Sequence, residues 1–323
     1  MTVHAPTIVW ACEKCHEVVS AAAAVIVGKD EQLELILTAL ISGGHVLLED
    51  VPGVAKTLAA QAFAQALGLD FRRIQFVPDL LPGDIMGSFI YDSRAESFKF
   101  MKGPIFANLI LADEINRGTP KTQSALLEAM QEQQVTVEGQ SFALDSPFMV
   151  IATQNPLEFE GTYPLPEAQI DRFISRLSMG YPSPEAEREI LARRQARQAD
   201  VVTLSPVLGK HDFLEIQRAI ETVHVSPDIQ SYIVQIVVKT REDRRAQLGA
   251  SPRGSLALFK LSRSRALMQG RDFVTPDDVK AVAVPGLAHR ILLRPELWAE
   301  RISGETIVRD ALEEVPVPKA DWR

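Results

Sequence analysis

The chain has 323 residues, of which 46% are hydrophobic and 24% charged, and its net charge is −8. This composition is typical of a soluble globular protein and excludes a disordered one. The acidic balance gives no support for wholesale binding to DNA or RNA, and the apolar runs are far shorter than the roughly 18–20 residues of a membrane span.

The N-terminal region carries two cysteines in the string CEKCH, Cys12 to His16. The string matches the C-x-x-C-H pattern of c-type haem attachment, but we expect no secretory signal, since no basic stretch and apolar core precede it. A cytoplasmic protein is therefore expected, and an ordinary helix is the favoured interpretation of this region. The residues at near-helical spacing are Val9, Cys12, His16, Val19 and Ala23. A redox pair formed by Cys12 and Cys15, or half of a zinc site, stays open.

Short apolar strands alternate with helices over the first half of the chain. The strand-like segments are HVLLED, FRRIQF, ANLILADE, FMVIATQN and ISRLSMGYP. TLAAQAFAQALG and TPKTQSALLEAMQEQQ are helical, the second with Thr119 as its N-cap and Pro120 in its first turn. QVTVEGQSFAL alternates about Glu138-Gly139 and predicts a hairpin. Strand–helix alternation indicates an α/β fold with a parallel sheet flanked by helices.

The pattern changes at Ser183, after which the sequence contains no convincing buried strand. Helices are predicted to begin at four Ser/Thr-Pro pairs, because the side-chain oxygen caps the helix and proline fits its first turn. These pairs are Ser183-Pro184, Ser226-Pro227, Ser251-Pro252 and Thr275-Pro276. We therefore predict an α/β core over residues 1–182 and a small all-α domain over residues 183–323.

The stretch HVLLEDVPGVAKTLAA, residues 45–60, resembles a phosphate-binding loop between a strand and a helix. The template G-x-x-x-x-G-K-[ST] is met at Lys56 and Thr57, but Asp50 and Ala55 replace its two glycines. On this interpretation Lys56 reaches the β- and γ-phosphates and Thr57 holds Mg²⁺. The alternative is an ordinary strand–helix turn with an exposed lysine.

Gly53 remains in the middle of the turn, where the backbone must curl until its N–H groups point at phosphate oxygens. Ala55 is tolerable there if its φ stays negative. Asp50 places an anion near the loop, but it could instead cap the loop from outside by accepting backbone N–H bonds.

Two adjacent carboxylates, Asp113 and Glu114, end the buried strand NLILADE. The carboxyl end of a strand beside a phosphate-binding loop is where an acid that orders Mg²⁺ is expected. Asp113 would hold the metal through water, and Glu114 would act as a general base, a role typically worth about 10²–10⁴ in rate. Asn155, after the strand in VIATQNP, could bond the γ-phosphate or the attacking water. A solvated strand end is the alternative for the two acids, and for Asn155 it is an ordinary turn, since Asn before Pro commonly forms one.

Four strings together resemble the MoxR family of AAA+ ATPases: EDVPGVAKT, LILADEINRGTPKTQSALLEAMQEQQVTVEG, VIATQNPLEFEGTYPLPEAQIDRF and ASPRG. The resemblance covers nearly the whole chain, from VIVGK to the TPDDV…LAHR region. It implies an AAA+ P-loop core with a C-terminal helical lid, and ATP and Mg²⁺ as cofactors. Relatives often carry alanine before the loop lysine.

The resemblance also assigns roles to single residues. Lys56 and Thr57 match Walker A, Asp113 and Glu114 match Walker B, and Asn155 matches sensor 1. The implied catalytic residues are Glu114, Asn155 and Arg172. The implied nucleotide-binding residues are Gly53, Val54, Ala55, Lys56, Thr57, Leu58, Asp113 and Arg253, with Mg²⁺ held by Thr57 and, through water, by Asp113.

Two of these assignments concern arginines. Arg172, in QIDRF, matches an arginine finger that would reach the γ-phosphate bound to the neighbouring subunit, a contact worth about 10³–10⁵ in kcat. Arg176, placed one helical turn on, is a weaker candidate. Arg253, in SPRG, matches sensor 2 and would project from the first turn of a lid helix onto the same phosphates. A surface ion pair worth at most about 1 kcal/mol is the alternative for each.

The resemblance also gives an interpretation to two further segments and to one residue, Lys29. Residues from about 80 to 103 sit where this clade inserts a small β-structure into its second helix. Residues from about 134 to 146 sit where it has a hairpin before sensor 1. Such projections typically contact a partner or substrate. Lys29 stands where the family usually has Gln, in the region expected near the adenine.

The resemblance implies Mg²⁺-dependent ATP hydrolysis by a ring, expected to be a hexamer, that remodels or matures a client protein complex. It also implies a partner with a von Willebrand factor A domain. One alternative is a nucleotide-binding scaffold with little hydrolysis, which Asp50 and Ala55 motivate. The other is a nucleic-acid motor of the same clade, which the acidic balance and a hairpin without Lys or Arg disfavour; we expect no nucleic-acid partner.

Overall fold

The structure is a computed structural model that describes residues 7–156, 161–199, 202–297 and 302–319. Residues 157–160, within the string VIATQNPLEFEG, and residues 320–323, at the end of the predicted all-α region, lie outside the described part. In the ranges that are described, no helix is long and apolar enough to span a bilayer.

The helices and strands follow the predicted alternation. The strands, in chain order, are β1 (Val46–Glu49), β2 (Phe71–Gln75), β3 (Gly87–Asp92), β4 (Ser97–Lys102), β5 (Leu109–Asp113), β6 (Gln134–Val137), β7 (Gln140–Ala143), β8 (Met149–Gln154), β9 (Ser175–Leu177), β10 (Ala246–Leu248) and β11 (Leu292–Leu293). The α-helices are α1 (Ile8–Ala23), α2 (Asp30–Ile41), α3 (Lys56–Ala66), α4 (Pro82–Met86), α5 (Pro120–Glu132), α6 (Glu167–Ile170), α7 (Pro184–Arg197), α8 (Lys210–Glu221), α9 (Pro227–Glu242), α10 (Pro252–Met268), α11 (Pro276–Leu287) and α12 (Gly304–Glu314). Short 3₁₀ helices occupy Ile115–Arg117, Ala288–Arg290 and Pro295–Leu297.

Five strands form one parallel sheet in the order β2-β5-β8-β1-β9. Val46 and Leu48 of β1 pack into one hydrophobic core and Leu47 into another, because successive strand side chains point to opposite faces. Both faces of the sheet are therefore covered, and the predicted fold class, an α/β core with a C-terminal helical lid, is confirmed. All five strands end along one edge, which is where sites lie in folds of this kind.

Two antiparallel hairpins project from this core. β6 and β7 form the hairpin predicted about Glu138-Gly139, and both residues at its turn have positive φ. β3 and β4 form a second hairpin within the segment from about 80 to 103. The rings of Phe100 and Phe142 stack with their centroids 4.0 Å apart, so the two hairpins contact each other.

The Ser/Thr-Pro pairs begin helices as predicted. Ser183, Ser226 and Ser251 cap α7, α9 and α10 by accepting backbone N–H bonds. At α11 the backbone N–H of Thr275 donates to the Asp278 carboxylate at 2.8 Å. The predicted all-α half also contains a short antiparallel ribbon of β10 and β11, in which only Ala246 is buried. Strands of three and two residues are too short to show a periodic pattern.

Helix α1 confirms the predicted helix around CEKCH, but a different face is buried. The buried residues are Ala11, Cys15, Val18, Val19 and Ala22, whereas Val9 is 61% exposed. Small side chains on this face allow α1 to pack against α2, α3 and α10. Burial raises the pKa of Cys15 to about 12, which disfavours the thiolate that metal binding or redox exchange requires. The Cys12 thiol instead donates to the carbonyl of Met268.

One hydrophobic core joins helices from both halves of the chain. Helices α1 and α2 precede the phosphate-binding loop in sequence, yet both pack against α8 and α10. The all-α half thus shares its core with the N-terminal helices. The domain boundary near residue 182 stays a prediction.

Candidate active site

The loop between β1 and α3 lies at the carboxyl edge of the sheet, beside the ends of β5 and β8. Lys56 is the first residue of α3, so the N-terminus of that helix faces the loop. Unpaired backbone N–H groups at a helix N-terminus attract anions, and phosphate is the usual one. The loop therefore has the position that phosphate binding requires.

The backbone of the loop differs from the expectation at Ala55. Gly53 has a φ of 84° and Ala55 a φ of 61°, so both lie in the left-handed region. The condition under which alanine was considered tolerable, a negative φ, is therefore not met. The turn into α3 requires this conformation where the template has glycine, and a non-glycine residue there costs about 1–3 kcal/mol.

We expect Ala55→Gly to raise the free energy of unfolding by about 1 kcal/mol. Glycine removes the strain at positive φ, and this gain exceeds the roughly 0.4–1 kcal/mol that its more flexible unfolded chain costs. Urea unfolding of the two proteins measures the difference. Ala192→Gly, in the exposed middle of α7, is the matched control and should lower stability by about 0.5–1 kcal/mol. A similar loss for Ala55→Gly would show that the left-handed alanine is not strained.

Asp50 turns away from the loop interior. Its Oδ2 accepts hydrogen bonds from the Ser178 hydroxyl at 2.7 Å and the Gly180 N–H at 2.5 Å, and its Oδ1 accepts from the Val51 N–H. Burial favours the protonated acid, but these donors outweigh it and hold the pKa of Asp50 below its ordinary value. The carboxylate therefore ties the loop to the segment after β9. Lys29 holds the same segment by donating to the Tyr181 carbonyl at 2.9 Å.

Lys56 and Thr57 lie at the start of α3 with partners across the site. The Lys56 ammonium donates to the carbonyls of Asp50 at 2.5 Å and Gln154 at 3.3 Å. The Thr57 hydroxyl lies 3.4 Å from Asp113 Oδ2. A hydroxyl and a carboxylate this close form the hard oxygen pair that Mg²⁺ prefers when it keeps most of its waters. The residues present therefore fit the metal that the resemblance implies.

Thr153 of β8 connects the two adjacent acids. Its hydroxyl donates to Asp113 Oδ1 at 2.6 Å and accepts the Glu114 backbone N–H at 2.8 Å. Asp113 is only 7% exposed, and Glu114 has a φ of 55°. A left-handed glutamate directly after a buried strand is the kind of strained conformation that clusters at functional sites. Thr153 was not predicted, because in the sequence it cannot be told from any other threonine in a strand.

Two residues of β2, Arg73 and Gln75, also contact these acids and were missed from the sequence. Arg73 donates to Asp113 Oδ2 from Nε at 3.0 Å and from a terminal nitrogen at 2.6 Å. Gln75 Nε2 donates to Glu114 Oε2 at 2.9 Å, and Arg117 Nε lies 3.2 Å from the same oxygen. Gln75 lies directly opposite Asp113 in the sheet, a register that the sequence alone does not reveal.

Asn155 follows β8 at the same edge and is only 5% exposed. Its backbone carbonyl accepts a hydrogen bond from Asn116 Nδ2 at 3.4 Å. Asn116 belongs to the 3₁₀ helix directly after Glu114. The structure thus brings together Lys56, Thr57, Asp113, Glu114 and Asn155 at one edge of the sheet.

The two predicted arginines lie elsewhere. Arg172 and Arg253 line one cleft of about 300 Å³ together with Gly43, His45 and Arg290. Gly43 and His45 precede β1, and Arg172 precedes β9, so this cleft is at the amino edge of the sheet. Four strand residues of about 3.3 Å each place the two edges roughly 13 Å apart. Within one subunit, neither arginine is near the phosphate-binding loop.

Asp171 organises the arginine cleft. Arg290 Nε donates to Asp171 Oδ1 at 2.8 Å, and the Ser251 hydroxyl donates to Oδ2 at 3.1 Å. Arg253 Nε lies 4.0 Å from the same Oδ2 and is in the first turn of α10, as predicted. Burial lowers the pKa of Arg290 to about 10, which the Asp171 carboxylate partly opposes. The lid is thus bonded to the residue directly before Arg172.

Arg172 itself has a buried Nε without a hydrogen-bond partner among the described residues. A buried N–H group is rarely left in this state, and such groups often mark a functional position. Arg176 differs, because it lies in β9 rather than in a helix, and its guanidinium pairs with Glu49 at 3.0 Å. Its place in the strand-like segment ISRLSMGYP is confirmed, and its placement one helical turn after Arg172 is not.

The sequence and the fold match known proteins. Residues 45–175 match the ATPase family associated with various cellular activities (AAA), and residues 238–311 match the AAA lid domain. The chain is 46% identical to Chaperone MoxR1 of Mycobacterium tuberculosis, over 92% of this chain and 80% of that protein. It is 52% identical to the uncharacterised protein YeaC of Bacillus subtilis, over 91% and 92% of the two chains. A crystal structure from Cytophaga hutchinsonii, of a protein assigned as an ATPase, is similar with a TM-score of 0.89 at 42% identity over 97% of each chain.

Proposed function

Because the chain belongs to the MoxR family of AAA+ ATPases, we propose that it hydrolyses ATP as one subunit of a ring. The observation that carries this proposal is the division of the predicted site between the two edges of the sheet. Lys56, Thr57, Asp113 and Glu114 lie at one edge, and Arg172 lies at the other. A second copy that places its arginine edge against the first copy's phosphate edge completes the site.

The roles follow from the contacts at the phosphate edge. The backbone from Gly53 to Leu58 and the Lys56 ammonium bind the phosphates. Thr57 and Asp113 would hold Mg²⁺, directly and through water, and the metal would supply neutralisation of charge at the phosphates. Glu114 accepts a proton from the attacking water. Asn155 holds that water or the γ-phosphate.

Arg172 and Arg253 act on the neighbouring subunit's nucleotide in this proposal. Their shared cleft supports a role at an interface, as does the Arg172 Nε, which has no hydrogen-bond partner within the described ranges. Asp171 and Arg290 position both arginines from within the chain. A movement of the lid would therefore shift these arginines relative to the neighbour's γ-phosphate. This would couple hydrolysis to a conformational change of the subunit.

The work of the ring is proposed to be chaperone-like remodelling or maturation of a client protein complex in the cytoplasm. A hexamer and a partner with a von Willebrand factor A domain are part of the proposal. The hairpins β3–β4 and β6–β7 project from the core and suit contact with a client. The scaffold alternative was motivated partly by the charge of Asp50, but that carboxylate bonds Ser178 and Gly180 instead of facing the loop.

We expect the ATPase rate per subunit to rise with protein concentration, because Arg172 lies at the opposite edge of the sheet from the phosphate-binding loop of its own chain. Steady-state phosphate release over a wide range of concentrations, with excess Mg²⁺ and ATP, tests this. ATP binding without turnover at any concentration would favour the nucleotide-binding scaffold. A rate per subunit that is constant down to concentrations where only monomer is present would refute the shared site.

A further inference from the structure

Arg73 contacts Oδ2 of Asp113, the carboxylate oxygen that lies beside Thr57 in the predicted metal site. Arg73 and Gln75 lie two residues apart on β2 and point to the same face of the sheet. Two N–H groups of Arg73 converge on Asp113 Oδ2, at 2.6 and 3.0 Å. The same guanidinium donates to Gln75 Oε1 at 2.5 Å, a bond that aims it at the acid.

The hydrogen-bonding capacity of Asp113 is nearly used up by these contacts. Thr153 takes Oδ1 at 2.6 Å, and Thr57 lies 3.4 Å from Oδ2. A carboxylate oxygen offers about two lone-pair directions, and two guanidinium N–H groups fill those of Oδ2. A metal-bound water that needs Oδ2 must therefore displace at least one of them.

The exposure of the two partners favours such a displacement. The Arg73 side chain is 49% exposed, so its guanidinium can leave into water at little desolvation cost. The Asp113 side chain is only 9% exposed and needs a cationic partner in either arrangement. Arg73 satisfies this need in the structure, and the hydrated divalent cation would satisfy it in turn.

We propose that Arg73 competes with Mg²⁺ for Asp113 and so sets the Mg²⁺ concentration at which this protein binds ATP as its metal complex. The inference rests on the proposed function, because it takes Asp113 as the acid that orders the metal. It assigns Arg73 a positioning role that acts through Asp113. Removal of this guanidinium should tighten metal binding, whereas loss of a merely structural contact would weaken it.

The test measures binding of a non-hydrolysable fluorescent ATP analogue while free Mg²⁺ is raised from zero. For Arg73→Met we expect the Mg²⁺ concentration at half-maximal binding to fall about five-fold, the upper end for a partly exposed ion pair. Arg73→Lys, which keeps the charge without the two-pronged contact, should give an intermediate value. Gln75→Leu, which removes the bond that aims Arg73 together with the Gln75 bond to Glu114, should lower it about two-fold.

Arg72→Met is the matched control, because Arg72 is exposed on the opposite face of the same strand. Its half-maximal Mg²⁺ concentration should equal that of the wild type. An unchanged or higher value for Arg73→Met, in a variant whose thermal unfolding remains cooperative, overturns the competition. If the wild type binds no analogue with or without Mg²⁺, the proposed function fails and the inference with it. If the wild type binds in a Mg²⁺-dependent way and Arg73→Met matches it, the inference alone fails.

Discussion

Glu114→Gln is expected to lower the rate of ATP hydrolysis by about 10²–10⁴ while leaving ATP binding intact. The amide keeps the size of the side chain but cannot take a proton from the attacking water. Binding should persist because the phosphate and metal contacts are proposed to come from Lys56, Thr57 and Asp113. Steady-state phosphate release and equilibrium binding of labelled ATP, measured on the same preparation, separate the two effects.

Glu128→Gln provides the matched control for this prediction, since Glu128 is an exposed residue of α5. The same change of charge there should leave the hydrolysis rate within about two-fold of the wild type. A Glu114→Gln variant that hydrolyses ATP as fast as this control would exclude Glu114 as the general base. A variant that neither binds nor hydrolyses ATP would place Glu114 in binding rather than in proton transfer.

The sequence predicted the elements whose cause is local. The run LILAD is apolar at nearly every position because β5 is buried on both faces, and such runs are recognisable without any partner. Serine or threonine before proline begins α7, α9, α10 and α11 because capping depends on neighbouring residues alone. Parallel strands in turn fix the edge at which Lys56, Asp113 and Asn155 meet.

The features that were missed depend on distant parts of the chain. Arg73 and Gln75 look like ordinary exposed residues of FRRIQF until the register of β2 against β5 places them beside the acids. The φ of Ala55 is set by the turn as a whole, so residue type alone could not decide whether the condition of a negative φ is met. The exposed fraction of Val9 depends on which helices pack against α1. Two faces of α1 are apolar enough to be buried, and the sequence alone does not show which one is.

We expect Lys56→Ala and Arg172→Ala to be almost inactive alone and to recover activity when they are mixed. Lys56→Ala loses the phosphate contact of its own site, and Arg172→Ala loses a finger worth about 10³–10⁵ in kcat. Since Arg172 lies at the opposite edge of the sheet from Lys56, each variant retains the half that the other lacks. ATPase assays on the separate and the mixed variants, at equal total concentration, measure the recovery.

The size of the recovery follows from the geometry of a closed ring. In an equal, random mixture, roughly a quarter of the interfaces pair an intact phosphate edge with an intact arginine edge. Mixing Arg172→Ala with a Lys56→Ala/Arg172→Ala double variant forms no such interface and should restore nothing. No recovery in the first mixture, with co-assembly shown by pull-down of a tagged subunit, would contradict an arginine that acts across the interface. Recovery in both mixtures would mean that no intact Arg172 is needed, because the second mixture contains none. Recovery in the first alone is what an arginine at the opposite edge of the sheet from the phosphate-binding loop of its own chain predicts.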